Sequence, residues 1–232
     1  MLGFYTMDIY YLVLVVPALI IAMIAQFKVQ SAFTKYSKVS TERGETADYL
    51  TRKILDDNGL SDIAVEHTRG NLTDHYDPKN NVIRLSDSVY GQSSIAAIGV
   101  AAHEAGHAVQ RKEEYKPIKL RNLLVPATQF ASYAAVPLAL IGILFNNILL
   151  PIGVILFAVT VLFQLITLPV ELNASKRALT TLREGSYLSE EELKGAKSVL
   201  TAAAMTYLAS ALVAVMNLLR LVLIANNSRR RR

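Results

Sequence analysis

Residues 103–107 form the most informative motif of the chain, because they read His-Glu-Ala-Gly-His. Histidines four positions apart point from one face of an α-helix, so two imidazoles can bind one Zn²⁺ at about 2.0–2.1 Å each. Glu104 lies one position beyond the first histidine, which makes it unsuitable as a ligand but able to take a proton from an activated water. The motif therefore predicts His103 and His107 as metal ligands and Glu104 as a catalytic base.

The alternative interpretation of this motif is a helix whose two histidines are stacked by chance and bind no metal. Its flanks, residues 100–102 and 108–109, are small and apolar, so the helix is expected to be buried. Buried imidazoles beside a buried carboxylate need polar partners, and a metal ion provides one. The flanks therefore favour the zinc site.

A third ligand must come from elsewhere in the chain. No histidine follows His107 and no aspartate follows Asp87, so a downstream oxygen ligand has to be a glutamate. The downstream glutamates that could serve are Glu113, Glu114, Glu171, Glu184 and Glu190–Glu192. The first two are close to His107 on the same helix and point elsewhere, and the last three are typical of a solvated acidic helix start after Ser189.

Glu171 differs from the other glutamates because it lies at the end of a long apolar run. A charge at a membrane boundary beside apolar residues is costly unless it is paired. We therefore predict Glu171 as the third ligand; the alternative is an interfacial carboxylate that pairs with Lys176 or Arg177. Ser175 and Asn173 lie near it on the same predicted helix and could accept a hydrogen bond from a ligand histidine, or be ordinary helix polarity.

Four apolar runs must position these groups, at residues 9–27, 123–145, 148–170 and 202–225. A helix of about 20 residues crosses a hydrocarbon core of roughly 30 Å, so each run predicts a transmembrane helix. Asn146 and Asn147 separate the second run from the third. This predicts a hairpin that returns the chain to the side it left, where Glu171 can meet His103.

The fold class expected is an α-helical membrane protein with about four transmembrane helices and a zincin-like α+β catalytic domain. The predicted divisions are an N-terminal anchor at 1–27, a catalytic domain at 28–122, a transmembrane hairpin at 123–170, a third-ligand helix region at 171–201, and a C-terminal transmembrane helix with a basic tail at 202–232.

Local patterns predict the elements of the polar segments. They are a helix at 42–57 that stops at Gly59, a strand at 63–69, a hairpin of 72–76 and 81–85 around a turn at 77–80, a helix at 95–111 capped by Ser93 or Ser94, and a helical region at 171–200 with a break near Gly185. The strand at 81–85 precedes the zinc helix, and such a strand can hold an extended peptide at a sheet edge or serve as ordinary sheet structure.

Composition excludes several classes of protein. Hydrophobic residues make up 52% of the chain and are concentrated in the four runs, which excludes a simple soluble globule. The chain has no cysteine, which excludes disulfides, thiolate zinc sites, iron–sulfur clusters and cysteine nucleophiles. The net charge of +5 is compatible with nucleic acid or with an anionic membrane, and the basic residues flank apolar runs, which favours the membrane.

The distribution of basic residues predicts the orientation. With four spans, nineteen Lys and Arg lie on one side, fourteen in residues 28–122 and five in residues 169–201. The positive-inside bias places this side, with the active site, in the cytoplasm, so we expect a multi-pass membrane protein whose active site faces the cytoplasm. The arginines at 229–232 argue the other way, and the larger count is given more weight.

Three further groups have open assignments. His67 and His75 are expected to be structural or surface histidines, with substrate contact as the alternative. Peptide hydrolysis also needs a donor for the oxyanion, and the candidates are Arg177, Arg183, Tyr187 and Tyr207.

Residues 72–78, 101–110 and 168–175 resemble the YugP-type neutral zinc metallopeptidases, a family of bacterial membrane proteins, in motif and in order over nearly the whole chain. The layout is also similar to that of HtpX-type and CAAX-processing membrane proteases, which have Glu-x-x-x-Asp where this chain has Glu171 and Ser175. The resemblance implies a gluzincin-like protease of the bacterial cytoplasmic membrane with one Zn²⁺ per chain. Its departure at Ser175 concerns the residue behind the ligands, not the ligand Glu171.

These observations together predict an integral membrane zinc endopeptidase that hydrolyses peptide bonds. Its expected partners are a protein or peptide substrate, with membrane proteins among the candidates, and the lipid bilayer, but no nucleic acid. The alternatives are a non-catalytic membrane scaffold with a structural zinc, and an intramembrane protease of the site-two type whose metal helix spans the bilayer. A membrane-bound nucleic-acid binder that uses the arginine tail is a weaker alternative.

Overall fold

The computed structural model describes residues 8–144 and 148–230, so Asn146 and Asn147 at the predicted hairpin tip, and the last two arginines of the tail, lie outside the described residues. The helices are α1 (Val16–Tyr36, preceded by a π-helical turn at Tyr11–Val15), α2 (Ala47–Asp57), α3 (Ile95–Lys112), α4 (Lys116–Leu144), α5 (Leu149–Glu184) and α6 (Glu190–Arg230). The strands are β1 (Ala64–Thr68), β2 (His75–Asp77) and β3 (Val82–Ser86).

Four of the described helices are long and apolar enough to cross a membrane. They cover Tyr11–Tyr36, Lys116–Ile143, Leu149–Glu184 and Glu190–Asn227. Together with the small three-stranded sheet, they confirm the predicted fold class of a helical membrane protein with an α+β portion. Each of these helices extends beyond its apolar run, because the polar residues that follow or precede the run continue the same helix.

The chain divides into two compact units. The helical unit comprises the described parts of Met1–Ala25, Lys119–Pro169 and Thr206–Arg232. The mixed unit comprises Gln26–Ile118 and Val170–Met205, and it contains the sheet, α2, α3 and the polar parts of α5 and α6.

Close helix packing and one ion pair characterise the helical unit. At Gly153 of α5, an added Cβ would lie 2.6 Å from the backbone nitrogen of Ala139 in α4, so these helices approach closely, as the hairpin requires. Arg220, in the fourth apolar run, binds Asp8 with Nη2 and Oδ2 2.7 Å apart and stacks over the ring of Tyr11. This pairing offsets the cost of a cation in an apolar segment. It also places the start of the first helix beside the last part of α6.

The mixed unit has its core around α3, which packs against α2, β2 and β3. Helix α3 begins where predicted, because the hydroxyl of Ser94 accepts a hydrogen bond from the N–H of Ala97 at 3.3 Å. Nearly every side chain of α3 from Ile95 to Gln110 is buried. The expected small apolar flanks of the motif therefore do lie in a core.

The predicted helix at 42–57 is wrong at its start, since α2 begins at Ala47. The N–H groups of Thr41 and Ala47 donate to the carbonyls of Ser93 and Gln92, each at 2.8 Å. These non-local hydrogen bonds hold the segment, which contains a turn closed by the N–H of Gly44 and the carbonyl of Thr41, out of the helix and beside the N-terminus of α3. The predicted end is confirmed: Gly59 has a φ of +61° and the N–H of Leu60 donates to the carbonyl of Leu55 at 2.8 Å, which closes the helix.

The strand order in the sheet is β1-β3-β2. The hairpin of β2 and β3 is confirmed as antiparallel, but β1 pairs in parallel with the other side of β3, from Ala64 beside Val82 to Thr68 beside Ser86. The expectation of an edge at residues 81–85 is therefore wrong, because β3 is the central strand and both its sides are occupied. Strands β1 and β2 are the two edges.

The break between α5 and α6 is confirmed near Gly185, where Ser186 adopts a φ of +49°. The prediction that Glu190–Glu192 are solvated is wrong for Glu192, which is buried. Its carboxylate accepts the N–H groups of Ser189 and of Glu42, each at 2.7 Å. Glu192 thus caps its own helix and ties it to the segment before α2.

Candidate metal centre

Helix α3 presents His103 and His107 from one face, as their spacing predicts. The two imidazole rings lie edge to face with centroids 4.8 Å apart. His107 is buried and His103 nearly so. Both rings are held in the interior of the mixed unit.

Glu171 of α5 meets both histidines. Its Oε2 lies 3.3 Å from Nε2 of His103 and 3.4 Å from Nε2 of His107. The carboxylate is 3% exposed, and one ligand atom from each of the three residues lies within 4.8 Å of the others. The structure thus brings together the three residues that the sequence predicts as ligands. Arg177, one of the two alternative partners that the sequence offers for Glu171, binds the carboxylate of Glu113 at 2.7 Å.

These distances fit a tetrahedral zinc site. Zinc binds histidine nitrogen and carboxylate oxygen at about 2.0–2.2 Å, which puts the ligand atoms of a tetrahedron roughly 3.3–3.5 Å apart. The two carboxylate–imidazole separations fall in that range. Two imidazoles and a carboxylate are also a donor set that zinc takes in catalytic sites, with a fourth position left for water or substrate.

The opposite nitrogen of each imidazole has its own partner. Nδ1 of His103 lies 3.1 Å from the hydroxyl of Ser175, and Nδ1 of His107 lies 3.0 Å from Oε1 of Gln110. Partners at Nδ1 fix the ring so that Nε2 faces the cluster. Ser175 was one of the two residues considered for this position from the sequence.

Gln110 has no assignment from the sequence, although its place three residues after His107 on a helix was available as a signal. It is fully buried, and its amide nitrogen donates to the carbonyl of Val170 at 2.8 Å and to Oδ1 of Asn173 at 2.9 Å. Since its nitrogen donates twice to α5, its oxygen is free to accept from Nδ1 of His107. Asn173 therefore acts on the histidine through Gln110 and not directly.

The electrostatics of the cluster favour a bound cation. Burial disfavours the charged form of His107, but the hydrogen bond with Glu171 and the charge of Glu104 outweigh it and hold the pKa of His107 above its usual value. Two buried carboxylates therefore act on one imidazole, which is the arrangement that a divalent cation would neutralise.

Glu104 is buried beside the cluster, and its Oε2 accepts the backbone N–H of Tyr76 at 2.9 Å. Tyr76 is the middle residue of the edge strand β2, which explains why sequence patterns gave no indication of the contact: it depends on the strand order. The contact fixes the orientation of the carboxylate. The other oxygen, Oε1, does not take part in this hydrogen bond.

Three of the other candidates from the sequence, His67, His75 and Tyr187, have hydrogen-bond partners of their own. His67 binds Asp87, with Nε2 and Oδ1 2.6 Å apart, and His75 binds the carbonyl of Thr73; both are exposed. Burial and a hydrogen bond to Asp57 raise the pKa of Tyr187 to about 12. The hydroxyl proton of Tyr187 is thus already engaged, which makes it a poor donor to an oxyanion.

Gly106 sets the separation of α3 and α5. A Cβ at this position would lie 2.8 Å from the carbonyl oxygen of Ala174, a distance that Cβ atoms do not adopt. The helix backbones are therefore in direct contact between the two histidines of α3 and the turn of α5 that follows Glu171.

This fold and this site define a helical protein with four candidate membrane spans and a His-His-Glu cluster of zinc-binding type. The chain belongs to the family described as "Putative neutral zinc metallopeptidase", whose model matches residues 11–226. It is 49% identical over 220 residues to the "Putative membrane protease YugP" of Bacillus subtilis (strain 168), a match that covers 94% of this chain and 98% of that protein. No solved structure matches the chain.

Replacing Gly106 by alanine tests the dependence of the cluster on helix contact. We expect Gly106→Ala to push α5 away from α3, separate Glu171 from the imidazoles and weaken zinc binding by about tenfold or more. The measurement is a zinc titration of the purified protein against a chelator of known affinity.

The matched control is Gly99→Ala on the same helix, where the added Cβ would lie 3.5 Å from Cβ of Ala196, an ordinary contact. This variant should bind zinc as the unmodified protein does. Equal zinc affinity in both variants would contradict the role given to Gly106.

Proposed function

We propose that the chain is a gluzincin-like zinc endopeptidase of the membrane, with its active site at the cytoplasmic face. The observation that carries the proposal is that Oε2 of Glu171 lies in a buried cluster at tetrahedral ligand spacing from Nε2 of His103 and from Nε2 of His107, at 3.3 and 3.4 Å. Family membership supports the zinc and the peptidase class. The relative from Bacillus subtilis, named as a membrane protease, supports the location.

Zinc held by these three residues would polarise a peptide carbonyl and lower the pKa of the attacking water. Glu104 then accepts the proton of that water at its carboxylate and passes it to the leaving amine. The N–H of Tyr76 holds Oε2 of Glu104, so the carboxylate keeps one orientation through the transfer. Ser175 and Gln110 keep both imidazoles turned toward the metal.

The scaffold with a structural zinc is a weaker candidate. Structural zinc sites usually have four protein ligands. Among residues 8–144 and 148–230, the single group that could hold a metal has three members. An incomplete shell favours catalysis, because it leaves a position for water and substrate.

The intramembrane protease is also weaker. It requires the helix of His103 and His107 to span the bilayer. Helix α3 is not among the described helices that are apolar and long enough to do so. Its length of 18 residues is taken up by the core of the mixed unit.

The contact of Asp8 with Arg220 supports the proposed topology. It brings the start of the first span beside the end of the last one, as an even number of crossings requires. With the basic segments 28–122 and 169–201 in the cytoplasm, both chain ends lie outside.

The base is tested by Glu104→Gln, which removes the proton acceptor and keeps the shape of the side chain. We expect zinc content to be unchanged and peptide cleavage to fall by about 100-fold or more. Cleavage of a casein or membrane-peptide substrate is measured beside elemental analysis, with Glu66→Gln on β1 as the control. Retained turnover in Glu104→Gln would contradict the role of base.

The third ligand is tested by Glu171→Ala. Loss of the carboxylate should lower zinc affinity by about 10- to 100-fold and abolish chelator-sensitive cleavage. Glu184→Ala, at the end of the same helix, is the control that should keep both. Unchanged metal content in Glu171→Ala would refute the ligand assignment.

The orientation is tested by single cysteines, because the chain has none of its own. Lys79→Cys in the turn before β3 should resist a membrane-impermeant maleimide in intact protoplasts and react after permeabilisation. Asn226→Cys near the end of α6 should react in intact protoplasts. The reverse pattern would place the active site outside the cell.

A further inference from the structure

A groove of about 580 Å³ lies in the mixed unit between the polar parts of α5 and α6. Its lining follows helical spacing on both sides, from Leu172 to Arg183 on α5 and from Glu190 to Ala204 on α6. The walls combine leucines with lysines and threonines. The groove is thus amphipathic along its length.

Two of its cations have no anionic partner among the described residues. Arg183 pairs with Glu190, and Lys194 pairs with Glu191. Within the part of the chain that the structure describes, no carboxylate lies in ion-pair range of Lys176 or Lys197, both of which are exposed. The groove therefore carries two charges that an anion from outside the chain would complement.

Each of these two lysines lies close to one end of a long uncharged stretch of its helix. Lys176 is the first cation of α5 after the uncharged residues 149–170, and Lys197 is the last cation of α6 before the uncharged residues 198–219. Cations at this position lie at the level of lipid headgroups, where the anionic leaflet attracts them.

The groove is distinct from the proposed active site. None of His103, Glu104, His107 or Glu171 lines it. Ser175 lines the groove and also contacts the cluster. Its hydroxyl faces Nδ1 of His103, the nitrogen that points away from the cluster. A peptide in the groove would thus be separated from the base and the ligands, which favours an occupant other than the substrate.

We propose that the groove binds one anionic phospholipid. Lys176 and Lys197 contact its phosphate, and the hydroxyls of Thr180 and Thr201, each one turn from a lysine, donate to the phosphate oxygens. Leu172, Leu200 and Ala204 face the start of the acyl chains. This binding requires the membrane spans and does not depend on zinc or on peptidase activity.

Native mass spectrometry of the full chain in detergent tests the proposal with two defined lipids. One phosphatidylglycerol should stay bound at a collision energy that strips phosphatidylcholine. The Lys176→Gln/Lys197→Gln variant should bind phosphatidylglycerol about 10- to 30-fold more weakly. Equal retention of the two lipids, or unchanged affinity in the variant, would overturn the proposal.

The matched control is Lys28→Gln/Lys35→Gln, which removes two exposed cations from the end of α1, outside the groove. It should keep the affinity for phosphatidylglycerol. If it loses as much affinity as the groove variant, the lipid responds to boundary charge in general and the groove is not a site.

Two further measurements separate the lipid from other anions and from misfolding. Inorganic phosphate or an acidic peptide that displaces phosphatidylglycerol at equal concentration would overturn the lipid assignment. A photoreactive phosphatidylglycerol should crosslink the unmodified protein within residues 172–204. Crosslinks confined to other segments would contradict the proposal even if the groove variant does not fold.

Discussion

The contact between Gly106 and Ala174 is the constraint on which the candidate site depends. In the proposed zinc site two ligands come from a single helix, and the third, Glu171, is 68 residues further along the sequence than His103. The side chain of Glu171 is short, so its carboxylate reaches both imidazoles only if the backbones of α3 and α5 are in contact. A glycine at the contact removes the Cβ that would otherwise lie 2.8 Å from the carbonyl of Ala174. Side-chain hydrogen bonds from Gln110 to α5 then fix the register of the two helices.

The burial of the cluster follows from the same contact. Packing α3 into the core removes the side chains of Glu104, His107 and Gln110 from water. Burying any of these polar groups without a hydrogen-bond partner would destabilise the fold. Gln110 satisfies its amide with one histidine and two acceptors of α5, and Glu104 has the backbone of the edge strand. The two imidazoles and Glu171 have each other, with one ligand atom from each within 4.8 Å of the others. The polar groups in this core are thus arranged so that a cation could bind among them.

The sequence predicts what depends on local patterns, and it misses what depends on pairing between distant segments. The cap at Ser94, the stop at Gly59 and the turn before β3 follow from residue types within a few positions. Glu171 follows by elimination because the chain has so few downstream ligands. The parallel partner of β3, the non-helical segment before Ala47 and the burial of Glu192 all arise from long-range hydrogen bonds, so local patterns could not reveal them. The contact of Tyr76 with Glu104 is hidden for the same reason, whereas Gln110 had a local signal in its place three residues after His107.

The charges in and next to the apolar helices fall into two groups. Arg220 is neutralised by Asp8, and Glu171 lies between two imidazoles, so these charges are accounted for by partners within the chain. Lys176 and Lys197 stand at the same kind of boundary, yet the described residues offer them no carboxylate. Charges that the fold leaves uncompensated at a membrane boundary are available to the membrane itself. The hydroxyl of Ser175 belongs to the wall of that groove and also contacts His103. A lipid bound there would therefore lie one side chain away from the metal ligands.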